Sequence, residues 1–406
     1  MQYFIDLSIT QRGLDMDLHK IFQHKNLLIL VLFLLLLPLF MWCFWTITPH
    51  KDLNMITIDK TSMTQEGLER KSLYWILHYK KYTNFGNLPS LIDGHYGFLP
   101  RDCDNYAIRD LDNLDEQEIE NLADVNNLMF VLDTYGVYKS NWFKDFNLPA
   151  RDNLIYGGLN QGDLDLIDAM HRRNKTVILE FNSIVPPTSS FIRQKIENKY
   201  NFEWTGWQGR FVTSLDTNDT QLSPDLIELY KKRHTGSWPF HNSGIVLINK
   251  NNDMVVLETG RTLARPSPII ETGKYGRKVY DLPQKIHYPF WFNIVKSDTS
   301  NRTVANFKIY PTHTGRCLLE KYGIPRSFPA IIQNTRPPYF YYMAGDFSDN
   351  PAKNMVTSHF KGIALFRKSF YGEDNISSRK SFLWKFYYPF MTNLLRIEYK
   401  YSKSIP

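Results

Sequence analysis

Short apolar runs that stop at polar side chains are where this sequence could do chemistry. Leu128 to Leu132 (LMFVL) runs into Asp133-Thr134-Tyr135-Gly136, which offers a carboxylate and a phenol ring. Leu154 to Tyr156 runs into Gly157-Gly158-Leu159-Asn160, and Thr176 to Leu179 into Glu180-Phe181-Asn182. A carboxylate just past a buried strand is partly desolvated, so its pKa rises toward the range of acid–base work. The competing reading of Glu180 is a salt bridge to an arginine such as Arg210. Glycine and asparagine at such ends also serve turns without any ligand. Further on, Trp204 and Trp207 stand three apart in WTGWQGR, followed by Arg210. The indoles could stack on a sugar ring or fill a core, and Arg210 could hold a carboxylate or phosphate. Asp346 and Asp349 in GDFSDN could hold a ligand hydroxyl or form a turn. His234 and His241 lack metal-ligand spacing, and no CxxC, GxSxG, P-loop or GxGxxG occurs, so neither a metal nor a cofactor is implied.

Those residues need elements to position them. Between the second and third apolar runs, Asp163 to Arg173 has helical spacing, with Leu164, Ile167 and Met170 on one side. Strand, strand, helix and strand in succession predict an α/β fold: a mostly parallel sheet with helices on both faces. Ligands in such sheets bind outside the carboxyl ends of the strands, so the polar residues after the three runs should converge. Leu68 to Tyr82, 115–127, 188–200 and Pro224 to Arg233 read as further helices. Ile245 to Ile248 and Met254 to Leu257 read as a hairpin, and Phe328 to Ile332 and Tyr339 to Met343 as late strands.

Leu27 to Trp45 is an unbroken apolar run, long enough to cross a bilayer, with Trp42 and Trp45 at one end. A cleavable signal peptide would be shorter and followed by small residues, so a retained anchor is the reading here. Arg12, Lys20 and Lys25 precede the run and Lys51 and Lys60 follow it, which favours a cytoplasmic N-terminus and an extracytoplasmic bulk. The organisation expected is a tail (1–26), a transmembrane helix (27–47), a stalk (50–66) within a partly helical segment (48–127), an α/β domain (128–355) and an amphipathic aromatic segment (356–406). That last segment would either pack on the domain or lie on the membrane surface.

Of the 406 residues, 22% are charged, 43% apolar and 15% aromatic, a globular composition. The net charge of +7 is scattered, and Asp110, Asp112, Asp115, Glu116, Glu118 and Glu120 offset it locally. No basic stripe tracks a phosphate backbone, so nucleic-acid binding is not expected. Cys103 and Cys317 could pair, but their spacing does not require it.

VLDTYG, IYGGL, the helix before TVILEFN, and the late FYYMAGDF together resemble the class I glutamine-amidotransferase-like fold, over about Leu128 to Asn350. That group includes trimerisation-type domains of some β-galactosidases. Its active members carry a nucleophilic cysteine on a sharp turn, where this sequence reads Leu179-Glu180-Phe181-Asn182. No paired His-x-Glu follows, and His313 in PTHTGRC lacks the turn context. The resemblance therefore implies the fold without amidotransferase chemistry. The chain as a whole also resembles membrane-anchored bacterial proteins.

Two functions fit. One is a binding or accessory module at the cell envelope, recognising a glycan or a partner protein. The other is a hydrolase of envelope polysaccharide, pairing Glu180 with Asp133 or Asp346, for which a (β/α) barrel would also serve.

Overall fold

The computed structural model describes residue 25 and residues 27–90, 94–101, 105–142, 153–219, 221–234, 236–352, 354–371 and 376–404. Cys103 lies outside them, as do the residues before Lys25.

Helix α1 (Leu27–Thr46) has a mean hydropathy of 3.0 and is almost wholly exposed. At 1.5 Å per residue it spans about 30 Å. Its last turn is fastened to the domain: the Trp45 indole donates to the carbonyl of His78 at 3.1 Å, and Lys81 Nζ donates to the carbonyls of Thr46 and Thr48 at 2.8 and 2.9 Å. A lysine there satisfies helix-end carbonyls and complements the helix dipole.

The chain then builds β1 (Met55–Asp59), α2 (Leu68–Lys80), β2 (Tyr96–Pro100), β3 (Tyr106–Arg109), α3 (Glu116–Val125), β4 (Leu128–Val131), α4 (Gln161–Arg172), β5 (Thr176–Glu180) and α5 (Ser190–Tyr200). An insertion follows: β6 (Phe202–Val212), α6 (Pro224–Arg233), β7 (Gly244–Asn249), β8 (Met254–Glu258), β9 (Ile269–Thr272), α7 (Lys274–Tyr280), β10 (Lys285–His287), β11 (Trp291–Ser297), β12 (Asn301–Lys308), α8 (His313–Lys321) and β13 (Ser327–Asn334). The chain re-enters the core as β14 (Phe340–Met343), then forms α9 (Ile363–Phe370). Helix α10 (Tyr388–Ser402) is entered through a π-helical stretch at Leu383–Tyr387. Pro389 lies just inside α10, where a missing N–H is tolerated.

The main sheet runs β10-β9-β12-β13-β14-β5-β4-β1-β2-β3. Strands β14, β5, β4, β1 and β2 are mutually parallel, in the doubly wound chain order 2-1-3-4-5. Strand β3 and strands β13, β12, β9 and β10 extend it antiparallel. The sheet is thus mixed, correcting the expectation of a mostly parallel one. Ala330, Ile331 and Ile332 in the middle of antiparallel β13 are as buried as the parallel strands, so an apolar run did not betray its direction. A second, antiparallel sheet, β8-β7-β6-β11, contains the hairpin expected at 245–257, and α6 packs on it over its own small core.

Two other expectations change. Residues 50–66 are not a stalk, because Met55–Asp59 is a central strand. Its polar Thr57 and Asp59 are buried with the rest, which hid it from a hydrophobicity reading. Leu154–Tyr156 stays out of the main sheet and pairs instead with Val137–Tyr138.

Helices α3, α4 and α5 cover one face of the sheet, and α2, α7 and α10 the other. Phe382, Phe386, Phe390, Met391, Leu394 and Leu395 of the C-terminal segment are buried against the domain.

Candidate functional site

Strand register makes the site. Ile58, Val131, Leu179 and Tyr342 stand side by side across four parallel strands. One residue further along, the chain reads Asp59, Leu132, Glu180 and Met343, so the carboxyl ends of β1, β4, β5 and β14 finish on one line. The loops beyond them are stitched together. Lys60 N donates to Asp133 O at 2.8 Å, Gly136 N to Thr61 Oγ1 at 3.0 Å, and Thr134 Oγ1 to Asn182 O at 3.0 Å. Polar groups placed this way on rigid strands form the expected ligand edge of a doubly wound sheet.

Asp133 is partly buried. Its Oδ1 accepts from Tyr135 N at 2.8 Å and from Asn182 Nδ2 at 2.9 Å. Burial lifts its pKa to about 6 in spite of these donors. Beside it the Tyr135 ring is 41% exposed. Glu180, by contrast, is only 1% exposed. Its Oε1 accepts from the backbone N–H groups of Phe347 and Ser348 at 2.5 and 2.7 Å, while its buried Oε2 meets no hydrogen-bond partner. Burial pushes this carboxyl up to about 8, so it is largely protonated at neutral pH. The group pins the loop after β14, which Ser72 of α2 holds from the other side through Ser348 O at 2.5 Å.

Asp346 is pushed well above the carboxylate range, first by burial and then by the charges of Asp349, Asp133 and Glu180, against the pull of Arg379. Arg379 forms an ion pair with Asp349 at 3.7 Å and donates to Asp346 O at 3.1 Å.

Three participants were not singled out from sequence. Asp59 and Arg70 form a fully buried ion pair from the end of β1 to the first turn of α2. Glu69, beside Arg70 and only partly buried, is raised to about 8 by burial and by the charges of Asp59, Asp133 and Asp349. Recognising β1 would have exposed them, since Glu69 and Arg70 open the helix that follows it.

The other expected site residues lie apart from this line. Gly158, at φ +74°, donates its N–H to Thr134 O at 2.7 Å, and a side chain there would strike Pro187 and Thr188 backbone. Gly157 sits against the backbone of Gly136. Asn160 caps α4: its side chain accepts from Asp163 N and donates to Asp110 Oδ1 at 2.7 Å. Trp204 and Trp207 are buried in β6, the first indole donating to Trp207 O at 2.9 Å, so neither offers a stacking face. Arg210 does not reach Glu180. It donates to Gln221 O at 3.3 Å and packs over the rings of Phe290 and Trp291.

Among the described residues, no three His, Cys, Asp or Glu side chains converge in a metal-binding arrangement.

No family model and no curated protein matches this chain. Among solved structures, the crystal structure of a ThuA-like protein from Bacteroides uniformis resembles it with a TM-score of 0.32 and 10% identity, over 82% of this chain and 96% of that one. A likeness of that size carries no argument about chemistry.

Proposed function

We propose that this protein is a binding module held at the membrane by α1, with its bulk extracytoplasmic, and that the line of strand ends recognises the hydroxyl groups of an envelope glycan. One observation carries the reading. Asp133, Glu69, Asp346 and Asp349 surround a partly open edge next to the exposed Tyr135 ring, while the cations there are taken, Arg70 by Asp59 and Arg379 by Asp349. Burial favours the protonated, donating form of Glu69 and Asp346, while Asp133 near 6 is mostly a carboxylate at neutral pH. The edge offers acceptors for vicinal hydroxyls and one ring face for stacking. A basic patch on an envelope protein would meet the Asp133 carboxylate and is the competing occupant.

The chain order of the parallel strands supports kinship with class I glutamine-amidotransferase-like domains. The buried Glu180 at the nucleophile's place supports a non-catalytic member of that group.

A hydrolase remains the second reading, with a different carboxylate pair from the one expected. Glu69 near 8 and Asp133 near 6 would supply an acid and a base at neutral pH from the partly open edge. An array of neutral and acidic envelope glycans, probed with the full chain in detergent and followed for products, tests both. Binding that is lost in Asp133→Asn and Tyr135→Ala, with no product, supports the module. Product formation lost in Glu69→Gln supports the hydrolase, and no binding to any glycan overturns both.

A further inference from the structure

The segment between β14 and the C-terminal helices touches the outer end of α1. Lys361 N donates to Met41 O at 3.0 Å, Lys361 Nζ to Thr48 Oγ1 at 3.3 Å, and the His359 ring meets the Trp45 indole edge-on at 4.3 Å. Met41 is five residues before Thr46, so this contact lies about 7.5 Å back along the helix toward the apolar run. Helix α9 begins at once, fixed by a hydrogen bond from Gly362 N to Tyr79 OH at 2.9 Å.

Helix α9 presents two unlike faces. Ala364 is buried in the core, Arg367 lies over the Trp384 ring, and Lys368 reaches Asp281 at 3.6 Å. The opposite arc carries Leu365 (73% exposed), Phe366 and Phe370 (79% exposed), with Val356 of the preceding turn also exposed. Positions 365, 366 and 370 fall on one side of a helix. Large apolar side chains grouped in this way mark a surface that meets something other than water.

Charge identifies what they meet. Lys51, Lys80, Lys81 and Lys361 cluster around the end of α1. Burial and mutual repulsion lower the first three, Lys80 to about 8, and the charges acting on Lys80 come from Lys361, Lys51 and Arg396. Among the described residues no carboxylate forms an ion pair with any of these lysines, which lie beside a helix of bilayer length. Phosphate-bearing headgroups would supply the missing charge.

We propose that α9 is a second membrane contact. It lies in the headgroup layer of an anionic leaflet, with Leu365, Phe366 and Phe370 directed into the outer acyl region, and Lys51, Lys80 and Lys361 meet lipid phosphates while the buried Lys81 caps α1. This rests on the reading of α1 as a retained span. It fixes the pose of the domain, because α2 runs from Lys80 at the membrane to Glu69 at the candidate site, about 16 Å along its axis.

The test uses the full chain in nanodiscs of phosphatidylcholine and phosphatidylglycerol doped with a phospholipid carrying a diazirine high on its acyl chain, and maps photo-adducts by mass spectrometry. Adducts are expected on α1 and on 363–370. The second set should disappear in Leu365→Ser/Phe366→Ser/Phe370→Ser, and fall several-fold in phosphatidylcholine alone, while the α1 set persists in both. Adducts on α1 alone in the parent overturn the second contact and leave the anchor standing. Absence of adducts on α1 overturns the anchor reading itself. Adducts at 363–370 that are indifferent to lipid charge overturn the role of the lysine cluster.

Discussion

Glu180 and Asp133 are both carboxylates at the ends of buried strands, yet their surroundings give them opposite tasks. Two backbone N–H groups converge on one oxygen of Glu180, so Glu180→Ala should cost about 3 kcal/mol in urea unfolding by leaving both donors unpaired. Glu180→Gln keeps the acceptor and should fold. Folded Glu180 holds its proton up to about pH 8, whereas the unfolded chain releases it near 4.5. The stability this group contributes is therefore highest in acid and falls as pH rises through that window. Glutamine has no proton to lose, so the stability of Glu180→Gln relative to the parent should climb between those values; a pH-independent difference would contradict the burial argument. In the proposed site Asp133 would accept ligand hydroxyls best as a carboxylate. Glycan binding should weaken as pH falls through about 6 and level off above it. Both residues stood out in the sequence because each follows an apolar run. Their difference was not legible, since it depends on the loop at 345–350, which meets Glu180 only in three dimensions.

At the scale of elements, two buried ion pairs tie the end of β1 to its neighbours. Arg70 of α2 meets Asp59, and Lys60 meets Asp163 of α4 at 2.6 Å. A buried charge stripped of its partner is costly, so Arg70→Met should lower stability by about 3–5 kcal/mol and displace Glu69 from the site. A loss below about 1 kcal/mol would mean that solvent reaches Asp59. The helices were legible because one apolar stripe repeats every 3.6 residues, as in Leu164, Ile167 and Met170 of α4. The polar strand MITID was not, and with it went Glu69 and Arg70. Strand direction was hidden too, because Ile331 and Ile332 of antiparallel β13 are as thoroughly buried as Ile178 of parallel β5.

For the whole molecule, α1 and the domain meet in one joint. Trp45, Lys81 and Lys361 bind the end of α1 directly to α2 and to the segment before α9, leaving no free stalk. The proposed orientation, with the bulk outside the cytoplasm, rests on Arg12, Lys20 and Lys25 before α1 against Lys51 and Lys60 directly after it in sequence. Protease added to intact spheroplasts should then degrade the domain, whereas complete protection until lysis would reverse the orientation. Glycan binding at the strand ends, with Glu180 as a structural acid, is the core of the account. Its most direct measurement is a binding isotherm for the tightest glycan on the array, with product formation followed in parallel, for the parent, Glu180→Gln and Asp133→Asn. Glu180→Gln should bind within about twofold of the parent, Asp133→Asn should lose roughly tenfold or more, and none should release product. Turnover by the parent that vanishes in Glu180→Gln would contradict it.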